Sequence, residues 1–298
     1  MRYMLTLDLI DAVARAGSIR RAADLMNIAP SALNRRLAAF EEEFGTPVFE
    51  RLPHGVRPNA AGELLLQHIR AQRADLARLR GTVDELKGLR RGHVAIACSQ
   101  GLTPFYLPQR IADFRSRFPR VTFSLKVRDR LAAEDELTRY TADLALVFEP
   151  ADMADFEILC TVAQPVCAVM AKAHPLAAAP RVRLRDCLDG PHVAPAAHLG
   201  VRHLLDLSLR RSSRALRPIV EADSFEFLRR YVTHEGAVGF EIPIGLSDAE
   251  EHGLVVRPLE DVRVGHLLLG QLLGRTLPAA ASRFAEEVAA SMRALPPP

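Results

Sequence analysis

The 298-residue chain contains no tryptophan and only three lysines, Lys87, Lys126 and Lys172. Positive charge therefore rests almost wholly on arginine, an excess that composition alone can account for. No run reaches the ~18 apolar residues of a membrane span. Asp8 and Asp11 interrupt the apolar N-terminal stretch MRYMLTLDLIDAV, which does not read as a secretory signal. No membrane partner is expected, and a cytoplasmic location is. Cys98, Cys160, Cys167 and Cys187 show no C-x-x-C spacing and no histidine at zinc-ligand spacing. They are expected to be small buried or half-buried thiols rather than metal ligands or a redox pair. There is no Walker A, G-x-G-x-x-G or G-x-S-x-G motif, and His174, His192, His198 and His203 show no H-x-x-x-H spacing. No catalytic residue, metal or cofactor is expected, and the chain is not read as an enzyme.

The length suits two or three domains and is enough to bury cores without disulfide or metal staples. Residues 1–90 hold 14 Lys/Arg against 11 Asp/Glu, which accounts for the whole formal charge of +3. The remainder of the chain is balanced. An excess confined to the N-terminal third points to a polyanion there.

That third contains SIRRAADLMNIAPSALNRRL, residues 18–37. Before it, Leu5, Leu9, Ile10 and Val13 lie at helical spacing. Gly17 suits a helix C′ position, and Ser18 suits the N-cap of a second helix whose inner face is Ile19, Ala22, Ala23 and Met26. A proline inside a helix costs about 3 kcal/mol. Pro30 is therefore placed at the first position of a third helix, where its missing N–H is no loss. That helix has Leu33, Leu37 and Phe40 inward and ends near Phe44-Gly45. Two short helices around a tight turn make a helix-turn-helix, whose second helix enters the DNA major groove. Its outward face carries Ser31, Asn34 and Arg35, with Arg36 to one side. Arginine pairs with guanine, asparagine with adenine, and serine with bases or phosphate. VFERLPHGVRPN then reads as two extended pieces around Pro53-His54-Gly55, a wing bearing Arg51, His54 and Arg57. With Ser18, Arg20, Arg21 and Pro30 these residues form the expected contact set for double-stranded DNA. Spacing alone leaves open an ordinary helical hairpin with a solvated arginine face.

The segment from Ala16 to Leu65 resembles the DNA-binding region of LysR-type transcriptional regulators. Its landmarks are Gly17-Ser18, Ala22-Ala23-Asp24-Leu25, Phe40-Glu41 to Gly45, Pro47-Val48-Phe49-Glu50-Arg51 and Ala61-Gly62. After Asn59, a plausible N-cap, Ile69, Gln72, Leu76, Leu79, Val83 and Leu86 follow at spacings of 3 and 4, an a/d seam flanked by charges that include Arg70 and Arg73. A helix packed on its own domain remains the alternative. The resemblance implies a linker helix that pairs between subunits through Ile69, Leu76, Leu79, Val83 and Leu86. The partner is then a second copy, in a homodimer or dimer of dimers, reading a pseudo-palindromic promoter or operator site.

From GHVAIACS onward, strands alternate with amphipathic helices, which implies parallel sheets. The first helix is TPFYLPQRIADFRSRF, with Leu107, Ile111, Phe114 and Phe118 inward. The pattern changes near Cys160, and HLLLGQLL with the last helix is expected to return to the first unit. Two lobes make a cleft, and ligands favour such clefts. CSQGLTP joins a strand end to a helix start, with Thr103 as N-cap and Pro104 at the first helical position. Ser99, Gln100 and Thr103 would there face an anion such as a carboxylate. This half also resembles the LysR-type effector domain, itself similar to periplasmic binding proteins, through AHPLA, VRLRDCL and HEGAVGFEIP. The resemblance implies cleft walls at Val147, Phe148, His198 and Phe240.

The expected architecture is an N-terminal all-α winged helix-turn-helix domain (1–60), a long linker and dimerisation helix (61–90) and a C-terminal two-lobed α/β effector-binding domain (91–298). The first lobe would hold about 91–162 and 266–298, the second about 163–265. The expected function is sequence-specific transcriptional regulation switched by a small carboxylate-bearing effector. Two alternatives stand beside it: an enzyme or small-molecule binding protein on the same two-lobed fold, and a sequence-indifferent chromosome-organising protein.

Overall fold

The computed structural model describes residues 2–86, 91–210, 212, 214–246, 249–250 and 252–296. The chain divides into two compact units, one through Leu79 and one from Arg80 onward.

In the first unit, α1 (Arg2–Ala16), α2 (Ile19–Leu25) and α3 (Pro30–Phe44) precede a ribbon of β1 (Phe49–Leu52) and β2 (Gly55–Pro58), and α4 (Ala60–Leu86) follows. Ile10, Val13, Ala22, Ala23, Leu33, Leu37 and Phe40 form its core, as their helical spacing requires. The Ser18 side chain accepts from the Arg21 N–H at 3.4 Å, capping α2. Pro30 stands at the start of α3 behind Ala29, which gives no side-chain cap, and Gly45 closes the helix in the left-handed region. The wing is a true antiparallel ribbon, so the unit is not all-α as expected.

The landmark residues have physical roles. The Glu41 carboxylate accepts from the N–H groups of Val48 (2.8 Å) and Phe49 (3.3 Å), fixing the entry to the wing. A Cβ on Gly62 would lie 2.0 Å from the Val48 carbonyl oxygen, so only glycine lets α4 pass there. Gly55, at φ +143°, abuts the Gly17 carbonyl oxygen, which also accepts from the Val56 N–H at 3.0 Å.

The first third of α4 belongs to this core, through Leu65, Leu66 and Ile69. Ile69 is 1% exposed, so its place on the dimer seam is corrected: apolar heptad spacing marks packing and does not say against which chain. Arg70 and Arg73 likewise tie α4 to α1 instead of flanking a seam. Asp11 accepts from Arg73 at 2.7 Å and from Arg70 at 3.3 Å, with Arg15 also at 3.3 Å, and Asp8 pairs with Arg73 as well. Further along, Leu76 is half-buried, and Leu79 and Val83 are exposed. Leu86 ends the helix, and its side chain lies outside the described residues.

The second unit contains β3 (Gly92–Cys98), α5 (Tyr106–Arg117), β4 (Val121–Val127), α6 (Ala133–Thr138), β5 (Leu144–Phe148), β6 (Phe156–Gln164), β7 (Cys167–Ala171), α7 (Leu184–Cys187), β8 (Val193–Pro195), α8 (Gly200–Leu209), β9 (Val220–Ala222), α9 (Phe225–Glu235), β10 (Gly239–Glu241), β11 (Leu254–Pro258), β12 (Gly265–Leu272) and α10 (Ala279–Arg293). One sheet has the order β4-β3-β5-β12-β6. β3 runs parallel to β4 and β5, whereas β12 is antiparallel to β5 and β6. The expectation of parallel sheets fails there because β6 carries the chain out of this lobe and β12 brings it back beside β6. The other lobe holds an antiparallel sheet β10-β7-β11 and a parallel pair β8-β9. Phe114 and Phe284 meet edge-on at 5.3 Å where α5 and α10 cover the larger sheet, and α6 covers its other face.

Candidate nucleic-acid interface and ligand cleft

Arg20, Arg21, Pro30, Ser31, Asn34, Arg35, Arg36, Arg51, His54 and Arg57 are all exposed, and Ser18 is half-buried in its cap. α2, α3 and the wing therefore present the expected contact set to solvent while burying the opposite faces. Among the described residues, Arg20, Arg21, Arg35, Arg36 and Arg51 have no carboxylate partner, which leaves their guanidinium forks available to phosphate and base edges. Arg57 differs: it pairs across the wing with Glu50, its directly opposed neighbour. Glu50 escaped notice in the sequence, although the period-two register of a hairpin would have placed it there.

In the second unit, Ser99 follows β3, and its hydroxyl accepts from the Phe148 N–H at 3.0 Å at the end of β5. Among the described residues the Ser99 hydroxyl hydrogen has no acceptor. Gln100 spans the lobes: its Nε2 donates to the Asp223 carbonyl at 2.6 Å, and its Oε1 accepts from the Phe225 N–H at 2.7 Å. Each end of this amide makes one bond to the other lobe, so Gln100 braces the lobes, and among the described residues one N–H and one lone pair remain for a ligand. Thr103 is corrected. A 3-10 turn over Gln100–Leu102 delays α5 to Tyr106, so Thr103 is not its N-cap and Pro104 does not begin it. The Thr103 hydroxyl donates to the Gln100 carbonyl at 2.8 Å.

Val147 and Phe148 part company because successive strand residues point to opposite faces. Val147 packs with Ala97 and Leu137 under α6, away from the cleft, and leaves the wall set. Phe148 lies against the start of α8. A Cβ on Gly200 would sit 2.6 Å from its carbonyl oxygen and 2.9 Å from its ring. Phe240 is 2% exposed in the main core and is a packing residue, not a wall. His198 is exposed in the turn before α8. The structure thus joins Ser99, Phe148 and the first turn of α8, where Leu199 supplies no side-chain cap.

Three more residues at the same end of the sheet carry no signal in the sequence. Glu149, a non-glycine at φ +51°, accepts from the His266 N–H at 2.8 Å through its carboxylate, and its carbonyl accepts from Arg130 Nε at 2.7 Å. On α8, His203 is held below the usual imidazole range by burial and then by the charge of Arg130. Arg130 is thus a half-buried cation within electrostatic reach of α8.

All four cysteines are buried, and burial pushes the Cys98, Cys167 and Cys187 thiols up to about 12. Among the described residues no cluster of three His, Cys, Asp or Glu could hold a metal ion. None of the described helices is long and apolar enough to cross a membrane.

A winged helix-turn-helix with unpaired exposed arginines, on a chain that also folds into a two-lobed ligand-binding architecture, defines a ligand-responsive regulator of transcription. Residues 5–63 match the family model of the bacterial regulatory helix-turn-helix proteins, lysR family, and residues 87–293 match the LysR substrate binding domain. The chain belongs to the LysR family of transcriptional regulators. It is 27% identical over 254 residues to the transcriptional activator protein LysR of Escherichia coli K12, covering 84% of this chain and 81% of that one. Full-length CbnR in complex with its target DNA superposes with a TM-score of 0.63 at 16% identity, covering 97% of this chain and 99% of that one. The effector-binding domain of QuiR in complex with shikimate gives a TM-score of 0.58 at 17% identity, over 68% of this chain and 98% of that one.

Proposed function

We propose that the protein works in the cytoplasm as a homodimer or dimer of dimers, grips a pseudo-palindromic operator through α3 and the wing, and is switched by a small carboxylate-bearing effector in the cleft. The reading requires no catalysis. The observation that carries it is the meeting of the Ser99 hydroxyl and Phe148, from the first lobe, with the start of α8, from the second, which has no side-chain cap. Unpaired N–H groups and the helix dipole favour an anion at such a place, and at α8 the positive charge of Arg130 acts against the smaller opposing effect of the Glu149 carboxylate. Shikimate, held by the QuiR domain, is itself a carboxylate. Leu79, 57% exposed, and Val83, 39% exposed, give α4 an apolar stripe for a second copy.

An effector moves the equilibrium only by its differential affinity for two states, and coupling of about 5- to 150-fold is typical. The test titrates small carboxylates, shikimate among them, against gel-shift binding to the intergenic DNA that the protein protects. An active carboxylate should lose its effect on Ser99→Ala while effector-free DNA binding stays near that of the parent. A Ser99→Ala protein that responds at unchanged effector concentration refutes the assignment of the anion site.

A further inference from the structure

Away from the Ser99, Phe148 and Gly200 constellation, the two-lobed unit holds a cavity of about 480 Å³. Phe105 and Leu295 line it from the first lobe, Ile244 and Val256 from the second, and Gln164 and Pro165 from the crossing between them. None of its lining residues among those described carries a charge, so an anion has no partner there. Its walls share no residue with the Ser99, Phe148 and Gly200 constellation. The volume falls within the range of small-molecule sites, which combine apolar walls with a few placed polar groups.

One such group is present. Gln164 is 4% exposed. Its Nε2 donates to the Ala163 carbonyl at 3.1 Å, and its Oε1 accepts from the Ile244 N–H at 3.3 Å. A carboxamide offers two N–H donors and two lone pairs. Among the described residues, one donor and one lone pair of this buried amide have no protein partner. The other buried polar groups of the wall are engaged: the Tyr106 hydroxyl donates to the Val288 carbonyl at 3.3 Å, and the Cys167 thiol to the Pro165 carbonyl at 3.9 Å.

We propose that this cavity is a second small-molecule site, for an uncharged, mainly hydrocarbon molecule whose single carbonyl or hydroxyl group meets Gln164. Such a ligand touches both lobes and so distinguishes one lobe arrangement from another. The site is independent of the anion cleft, and neither stands or falls with the other.

The absence of tryptophan makes a background-free test available. Gln109→Trp places one indole at the exposed rim of the cavity. The full chain is titrated with 2-acetylnaphthalene and with 2-ethylnaphthalene, which differ in one carbonyl, and quenching is followed. Equilibrium dialysis repeats both titrations on the protein without the tryptophan. Saturable binding of one molecule per chain is expected, with the acetyl compound tighter by about fivefold, the worth of one hydrogen bond. Gln164→Leu should abolish that preference. Val256→Phe should fill the cavity and weaken both probes by tenfold or more, while binding to the protected DNA stays near the parental level. The proposal is overturned if dialysis shows no saturable binding, if the two probes bind equally with Gln164 in place, or if both survive Val256→Phe. It is also overturned if the probes dissociate the oligomer in sedimentation, because a second copy would then be what covers the cavity.

Discussion

Replacing Asp11 by asparagine removes one charge and almost no volume, so it tests the α1–α4 ion cluster without opening a cavity. Asp11 is 3% exposed and serves Arg15, Arg70 and Arg73 at once. Breaking a fully buried pair costs about 3–5 kcal/mol because the surviving charge stays unsolvated. Here the loss is smaller. The side chains of Arg70 and Arg73 keep 20% and 39% exposure, and Arg73 retains Asp8. A cost of about 2 kcal/mol follows, between the exposed and buried limits. In a unit of this size that corresponds to a midpoint lowered by about 8–16 °C. Differential scanning calorimetry of the full chain should show the transition of the winged unit shifting while the two-lobed unit holds. The same variant should discriminate less among operators whose half-sites are respaced by one or two base pairs, since α4 leaves α1 at a less fixed angle. A winged-unit midpoint within about 2 °C of the parent would show that the cluster is solvated and carries no such energy.

Other outcomes are expected. Arg35→Ala should cost about 1–3 kcal/mol on operator DNA and much less on random DNA if it makes a bidentate base contact; equal losses on both in titrations at fixed salt would make it a phosphate contact. Aspartate at both Leu76 and Leu79 should weaken the oligomer and tandem-site binding, since pairing would bury unmatched charge; an unchanged sedimentation coefficient would remove α4 from the interface. Burial tends to raise the Glu136 carboxyl, but hydrogen bonds from Lys126, Thr141 and Arg128 outweigh it and hold the group at about 2, below the 4.5 of an unperturbed glutamate. Its stabilisation is therefore complete above pH 4.5 and is lost as pH falls towards 2, by about 3 kcal/mol at most. Glu136→Gln should flatten denaturant stability across that window, and parallel curves for variant and parent would refute the pairing.

The parts legible in the sequence are those set by local rules. Pro30 could stand only at a helix start, Gly17-Ser18 could only end one helix and cap the next, and alternation around Pro53-His54-Gly55 made a wing. The misread residues depend on distant chain. Thr103-Pro104 has the chemistry of a helix start, yet a 3-10 turn intervenes. Gln100 meets partners 123 and 125 residues away, which no spacing announces. Ile69 fits a heptad seam and a domain core equally well. Val147 and Phe148 are neighbours of similar hydrophobicity, and only strand phase decides which one reaches the cleft. Glu149 and Arg130 stand in no motif, so only the folded chain shows them together.

The insertion of β12 between β5 and β6 has a consequence for synthesis. The winged unit can close as soon as its own residues leave the ribosome. The first lobe cannot, because its last strand, β12, and the covering helix α10 are made after the whole second lobe. At about 5–20 residues per second, the gap of roughly a hundred residues between β5 and β12 lasts about 5–20 s. For that interval the nascent protein has a finished DNA-binding end and an unfinished sensor, with β5 and β6 exposing unpaired edges. A chain stopped early would keep its DNA-binding unit without a ligand-responsive one, and on shared operators it would act as a competitor that no effector can release.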